Sequence, residues 1–175
     1  ESKIDLHSLL YKKNLSNVKK YLPNFKDTIK LKDHKISINY KKNKFDIKGE
    51  GRVLIQNKID YINYEVKKKN DNFNFKTTVN INNNLILLDF LNYKKKEDLG
   101  STIHLKGSYK KDKKIKFETI SLIDDNKNHF MIEGLDLNST FKIDDIDKLD
   151  INFINNNKIK NKIALKKIKK NIKSM

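Results

Sequence analysis

Phe73-Asn74-Phe75-Lys76-Thr77-Thr78-Val79-Asn80-Ile81 reads in strict two-residue alternation. Successive side chains of a strand point to opposite faces. Phe73, Phe75, Thr77, Val79 and Ile81 therefore share one face, and Asn74, Lys76, Thr78 and Asn80 share the other. A helix would need apolar positions three and four apart. The stretch is a strand with a dry face and a wet face. The same alternation recurs at Ile36/Ile38/Tyr40, Phe45/Ile47, Val53/Ile55, Tyr64/Val66, Ile103/Leu105 and Ile115/Phe117. A series of such strands makes a sheet whose apolar face needs something to cover it.

The loops between these strands set the topology. They are short and polar: residues 41–44, 56–58, 67–72, 94–98, 110–114 and 124–128. Lys, Asn and Asp at such places suit hairpins, and short loops join antiparallel neighbours. The expected fold is mainly β: a long curved antiparallel meander, an open gutter with one apolar face. Eight to ten strands spaced about 4.8 Å apart give a sheet roughly 40 Å wide. The alternation slips after Phe117, to Ile120 and Leu122, and again after Ile132, to Leu135 and Leu137 across Gly134. A one-residue slip flips every side chain, so a β-bulge is expected at each place. Gly49, Gly51 and Gly107 inside strand patterns mark further bulges or bends.

Residues 1–33 read differently. Leu6, Leu9 and Leu10, then Leu15, Val18, Tyr21 and Leu22, recur at three- and four-residue spacings. Ser16 is placed as an N-cap and Pro23 as a stop. Residues 1–33 are expected to form a short helical cap, and residues 34–175 one antiparallel β-groove domain. The chain, which starts at Glu1, reads as a fragment of a longer protein. At the other end, Ile159, Ile163, Leu165, Ile168 and Ile172 fit neither period, and a last strand is preferred over a basic amphipathic helix.

Of 175 residues, 39 are basic and 22 acidic, for a net charge of +17; a single basic residue, Arg52, is arginine. Lys, Asn and Ile share AT-rich codons, so the basicity reads as compositional and diffuse. Lysines do attract anionic surfaces, but bidentate recognition of phosphate and bases favours arginine. No specific nucleic-acid partner is expected. Absent cysteine, there is no disulfide or thiolate chemistry. No apolar run approaches the roughly 18 residues of a membrane helix.

Catalytic signatures are missing too. His7, His34, His104 and His129 are scattered, read as ordinary exposed or strand residues, with no second ligand at metal spacing. Asp144, Asp145, Asp147 and Asp150 lack the glycine and closing glutamate of a calcium loop and read as a solvated turn. Gly49-Glu50-Gly51 has no following helix to cradle a phosphate. The chain is read as no enzyme, with no metal and no cofactor.

Several segments resemble the AsmA-like family, in particular its YhdP and TamB kind of Gram-negative envelope proteins. They are Ile47-Lys48-Gly49-Glu50-Gly51-Arg52-Val53, Ile62-Asn63-Tyr64-Glu65-Val66, Phe73 to Thr77, Leu91 to Lys95, Ile103 to Tyr109 and Ile132 to Asn138. The likeness runs from about His34 to about Leu165 and rests on strand-and-turn patterns. It implies a twisted sheet forming a hydrophobic groove, a periplasmic body anchored to the inner membrane outside this fragment, and phospholipid movement toward the outer membrane. Neighbouring β-groove segments of the same chain and phospholipids are the partners it implies. On the residues alone, acyl chains suit an aliphatic face, at about 0.8 kcal/mol per buried methylene. The candidate lipid-binding groove is Ile36, Ile38, Tyr40, Ile47, Val53, Ile55, Tyr64, Val66, Phe73, Phe75, Val79, Ile81, Ile103 and Leu105. The alternatives are an envelope scaffold binding protein by strand addition, or a basic nucleic-acid-binding domain.

Overall fold

The computed structural model describes residues 2–12, 19–25, 27–42, 44–110, 115–140 and 142–167. Its strands are β1 (Ser2–Lys12), β2 (Thr28–Lys41), β3 (Lys44–Leu54), β4 (Ile59–Lys69), β5 (Asn72–Asn80), β6 (Ile86–Leu88), β7 (Tyr93–Lys95), β8 (Ser101–Lys110), β9 (Ile115–Asp124), β10 (His129–Leu137), β11 (Ile143–Asp145), β12 (Lys148–Ile154) and β13 (Lys160–Lys166). Ten of them lie in the order β1-β2-β3-β4-β5-β8-β9-β10-β12-β13, with β11 beside β10. Every pairing is antiparallel. The molecule is mainly β, an open antiparallel meander, as the alternation requires. At about 4.8 Å per step, ten strands span roughly 43 Å.

One expectation is corrected at the start of the chain. Ser2–Lys12 is a strand, not a helix, and pairs with β2 from Ser2↔Ile38 to Lys12↔Thr28. Residues 2–12 and 28–33 are therefore not part of a helical cap; β1 and the first residues of β2 belong to the sheet. The reason is competition. Short helices are marginal in water without packing, whereas the edge of β2 offers a full ladder of backbone partners. Ile4 and Leu6 fit the alternation as well as the helical period. Ser16, Leu15 and Val18 lie outside the described residues. Residues 19–25 make a short turn segment that tucks Phe25 (4 % exposed) against the sheet.

The phase slip after Phe117 is a register shift. β8 and β9 shift between Lys106 and Gly107, so Glu118 has no opposite number. The second slip is not a register shift: Glu133 and Leu135 keep one register against β9, and Gly134 between them takes φ +63°. That left-handed conformation suits glycine, and a Cβ there would collide with Asp147. β2 and β3 shift between Lys32 and Lys35, opposite Gly51. A Cβ on Gly51 would stand 2.5 Å from the ring of His34. Asp33, at φ 51°, forms the left-handed residue of this bulge and pairs with Arg52. That guanidinium holds the Asp33 carboxyl below its usual range. Gly49 shows no register shift in either ladder, so it is not a bulge; the Tyr64 ring fills its side-chain space. The chain end described here is the strand β13, with Ile168 and Ile172 outside the described residues.

The meander is interrupted once. Between β5 and β8 the chain leaves the sheet, forms the β6–β7 hairpin around a 3-10 turn at Asp89–Leu91, and returns. This excursion folds over one end of the sheet. Ile86 and Tyr93 from it pack with Val79, Ile81, Leu122, Phe130, Ile151 and Phe153 into the buried core. The three rings of Tyr93, Phe130 and Phe153 stand 4.7 to 6.0 Å apart, centre to centre.

Candidate functional site

Register assigns every strand residue to a face, because directly paired residues share one. Ile62, Val79, Ile103, Leu122, Phe130, Ile151 and Ile163 form one row across the sheet. The next row is Ile4, Ile36, Gly49, Tyr64, Thr77, Leu105, Ile120, Ile132, Leu149 and Leu165. A third is Ile38, Ile47, Val66, Phe75, Gly107, Phe117 and Leu135. The last, beside the hairpin turns, is Tyr40, Phe45, Lys68, Phe73, Tyr109, Ile115, Leu137 and Ile143. The face is apolar almost without interruption, and its opposite is lysine, asparagine, threonine and carboxylate.

All of the candidate groove residues within strands fall on this apolar face. Ile55 lies just past β3 and Ile81 just past β5. The structure nevertheless divides the set. Val79 (8 % exposed) and Ile81 (4 %) sit under the excursion in closed core, and Val53 (1 %) is buried as well. Ile36, Ile38, Ile47, Tyr64, Val66, Phe73, Phe75 and Leu105 are half-buried, with no second layer over them among the described residues. Ile55 is also half-buried, as is Ile103, which packs at the border of the core. Tyr40 projects into solvent at 76 % exposure. The face continues through Phe117, Ile120, Ile132, Leu135 and Leu149, none of which belongs to the candidate set. Their alternation is legible once Glu118 and Gly134 are each allowed one residue.

Two concavities bear on the polar side. One of about 610 Å3 is walled by Lys3, Asp5, Lys35, Lys48, Glu50 and Glu65, with the backbone of Gly49 in its floor. Its charges are of both signs and partly paired, Lys48 to Glu65 at 3.5 Å.

Sequence reading missed a buried polar clasp at the closed end. Asp60 (5 % exposed) accepts from the backbone N–H of Asn82 at 3.0 Å and of Asn83 at 3.3 Å, and from Asn84 Nδ2 at 2.6 Å. Lys95 (0 % exposed) donates to the Asn84 carbonyl at 2.7 Å. Tyr93 Oη donates to Asp124 Oδ2 at 2.6 Å, and Asn128 donates to Asp124 through both its backbone N–H and its Nδ2. These bonds tie the excursion to β4, β9 and the β9–β10 turn. His34, a strand residue of β2 as one arm of the expectation has it, is also buried (1 % exposed). Its Nε2 lies 3.0 Å from the Arg52 carbonyl, and its ring stands 6.0 Å from Tyr64. Nothing local in sequence distinguishes Asp60 or Lys95 from a solvated charge.

Burial pushes the Lys95 ammonium below its ordinary value of 10.5, with Asp60, Asp98, Asp124 and Asp125 offsetting part of the shift. Burial, aided by the bond to Asp124, pushes the Tyr93 hydroxyl above its ordinary 10.0. The signs follow from linkage. The folded state holds the Lys95 proton less tightly than the unfolded chain, so stability is expected to rise as pH climbs toward 10.5. It holds the Tyr93 proton more tightly, so stability is expected to fall once pH passes 10.0. Thermal melting from neutral pH upward checks both limbs. Lys95→Met should flatten the rise and Tyr93→Phe the fall; a rise unchanged by Lys95→Met would assign it elsewhere.

The chain matches no protein-family model, no curated protein and no solved structure. Among the described residues, no group of three His, Cys, Asp or Glu side chains could hold a metal ion, and no helix is long and apolar enough to cross a membrane.

Proposed function

We propose that the unroofed part of the apolar face holds lipid acyl chains, and that the chain is a non-catalytic segment of a bridge-like phospholipid carrier of the envelope. One observation carries this reading: the apolar rows run across ten strands, yet among the described residues a second layer lies only over the end beneath the excursion. Monomeric proteins seldom leave apolar surface of that extent bare. Hydrocarbon is a natural cover, since every methylene buried contributes about 0.8 kcal/mol and no position on an aliphatic face is a deep trap. The AsmA-like resemblance points the same way and supplies the periplasmic, inner-membrane-anchored setting.

The test is site-specific photocrosslinking in cells, followed by mass spectrometry. A crosslinker at Val66 or Leu105 is expected to capture phospholipid; one at Ile123, on the polar face, is not. Absence of lipid at both apolar sites would turn the reading to the scaffold alternative. That alternative has its own support. β1 is an outer strand of eleven residues with Ile4 and Leu9 44 % and 50 % exposed. Such an edge is a template for an added strand.

A further inference from the structure

The open end of the sheet carries a feature that acyl chains on the apolar face do not use. The β2–β3 and β4–β5 hairpins turn there. Lys41 pairs directly with Lys44, and Lys44 directly with Lys69, so three lysines stand in one row across three strands. Like charges directly opposed on neighbouring strands are destabilising. These lysines, with Lys67 and Lys68, border a concavity of about 410 Å3 in which Asp46 is the one carboxylate. Lys67 takes up Asp46 at 4.0 Å and Glu65 at 2.8 Å. Lys41, Lys44 and Lys69 pair with no carboxylate among the described residues. At the closed end, by contrast, Lys58 is met by Glu97 and Asp98.

One residue inward, on the other face, the chain is aromatic. Phe45 and Phe73 lie 6.1 Å apart, and Phe73 and Tyr109 6.0 Å. The Lys68 ammonium stands 5.9 and 5.3 Å from the Phe45 and Phe73 ring centres. Tyr40, the first residue of that row, is the exposed aromatic noted above.

We propose that this end docks on an anionic lipid surface, with Lys41, Lys44 and Lys69 at the depth of the phosphates and Tyr40 at the interface. The charge is complementary: a row of mutually repelling point charges gains most from an array of phosphates, which relieves the repulsion while it binds. Lysine tips above an aromatic row reproduce the depth order of a membrane interface, where ammonium groups reach the headgroups and amphipathic rings settle beneath them. Single-stranded nucleic acid fits less well. Base stacking needs free ring faces, and here Lys68 lies over Phe45 and Phe73. The docking is separate from acyl-chain holding and stands if the apolar face proves empty.

Flotation with phosphatidylglycerol vesicles, and with phosphatidylcholine vesicles as reference, tests it. Binding to the first and not the second, lost on adding salt, is expected. Lys41→Gln/Lys44→Gln/Lys69→Gln should lower partitioning about a hundredfold, at about fivefold for each lysine. Lys94→Gln/Lys96→Gln/Lys127→Gln removes the same charge at the closed end and should lower it less than about fivefold. Tyr40→Ser should weaken binding severalfold; Phe90→Ser, which removes the exposed aromatic of the closed end (73 %), should not. The tip lysines are exposed, and the tip triple variant should melt no lower than the parent. Equal losses from the two triples, no binding to phosphatidylglycerol, or a preference for single-stranded RNA over vesicles at equal phosphate would each overturn the proposal.

Discussion

Asp60→Ala is expected to destabilise the domain by about 3–5 kcal/mol, the cost of removing one partner from a buried charged network. The carboxylate collects three donors, two backbone and one side-chain, from Asn82, Asn83 and Asn84. Alanine leaves them unpaired in a place that is 5 % exposed. Each orphaned buried donor costs about 1–3 kcal/mol unless water reaches it. Lys95 loses a favourable neighbour at the same time. The effect reaches beyond the pair because these bonds hold residues 82–84 to β4, and with them the roof that covers Val79 and Ile81. Urea denaturation measures the loss, with exposed Asp71→Ala as a reference expected within about 0.5 kcal/mol of the parent. A loss below about 1 kcal/mol would mean that water replaces the carboxylate and that the clasp does not hold the roof.

The second large effect separates two neighbours on one strand. Val79→Asp is expected to cost about 4 kcal/mol or more and to melt the domain, because it places an unpaired carboxylate among Ile81, Leu122 and Phe130. Phe75→Asp lies four residues away on the same face, where no layer among the described residues covers it. Its cost is the lost packing with Phe117, whose ring centre is 5.6 Å away, about 1.5–3 kcal/mol. The new carboxylate there reaches solvent, so the domain is expected to fold, while phospholipid crosslinking at Val66 is lost. Thermal melting and crosslinking on both variants decide the matter. If Phe75→Asp collapses as Val79→Asp does, the unroofed face is closed core and the acyl-chain proposal fails. Undiminished crosslinking in folded Phe75→Asp would sink it equally.

The contrast between Val79 and Phe75 shows how far the chain is legible. Both residues lie in the stretch whose alternation announces the sheet, and both fall on the apolar face that the alternation assigns. Their spacing says nothing about which is covered. The roof over Val79 comes from Ile86 and Tyr93, at the far side of a loop, held by Asp60 and Asp124 from strands on either side. Lys95 reads in sequence as one of many solvated lysines, and its burial exists only because that loop folds back. The N-terminal leucines show the reverse error. Leu6, Leu9 and Leu10 carry a helical spacing, and the unpaired edge of β2 overrides it.

By itself, then, the sequence determined the alternating strands after residue 34, their antiparallel order, the bulge at Glu118, and the apolar face of the sheet. These follow from a two-residue period and from turn chemistry, which are properties of neighbours in the chain. Only the tertiary structure decided which part of that face is closed, which lysines and carboxylates are buried, and that Lys41, Lys44 and Lys69 meet in one row. Those outcomes depend on pairings between residues far apart in the chain, and a local period carries no information about them.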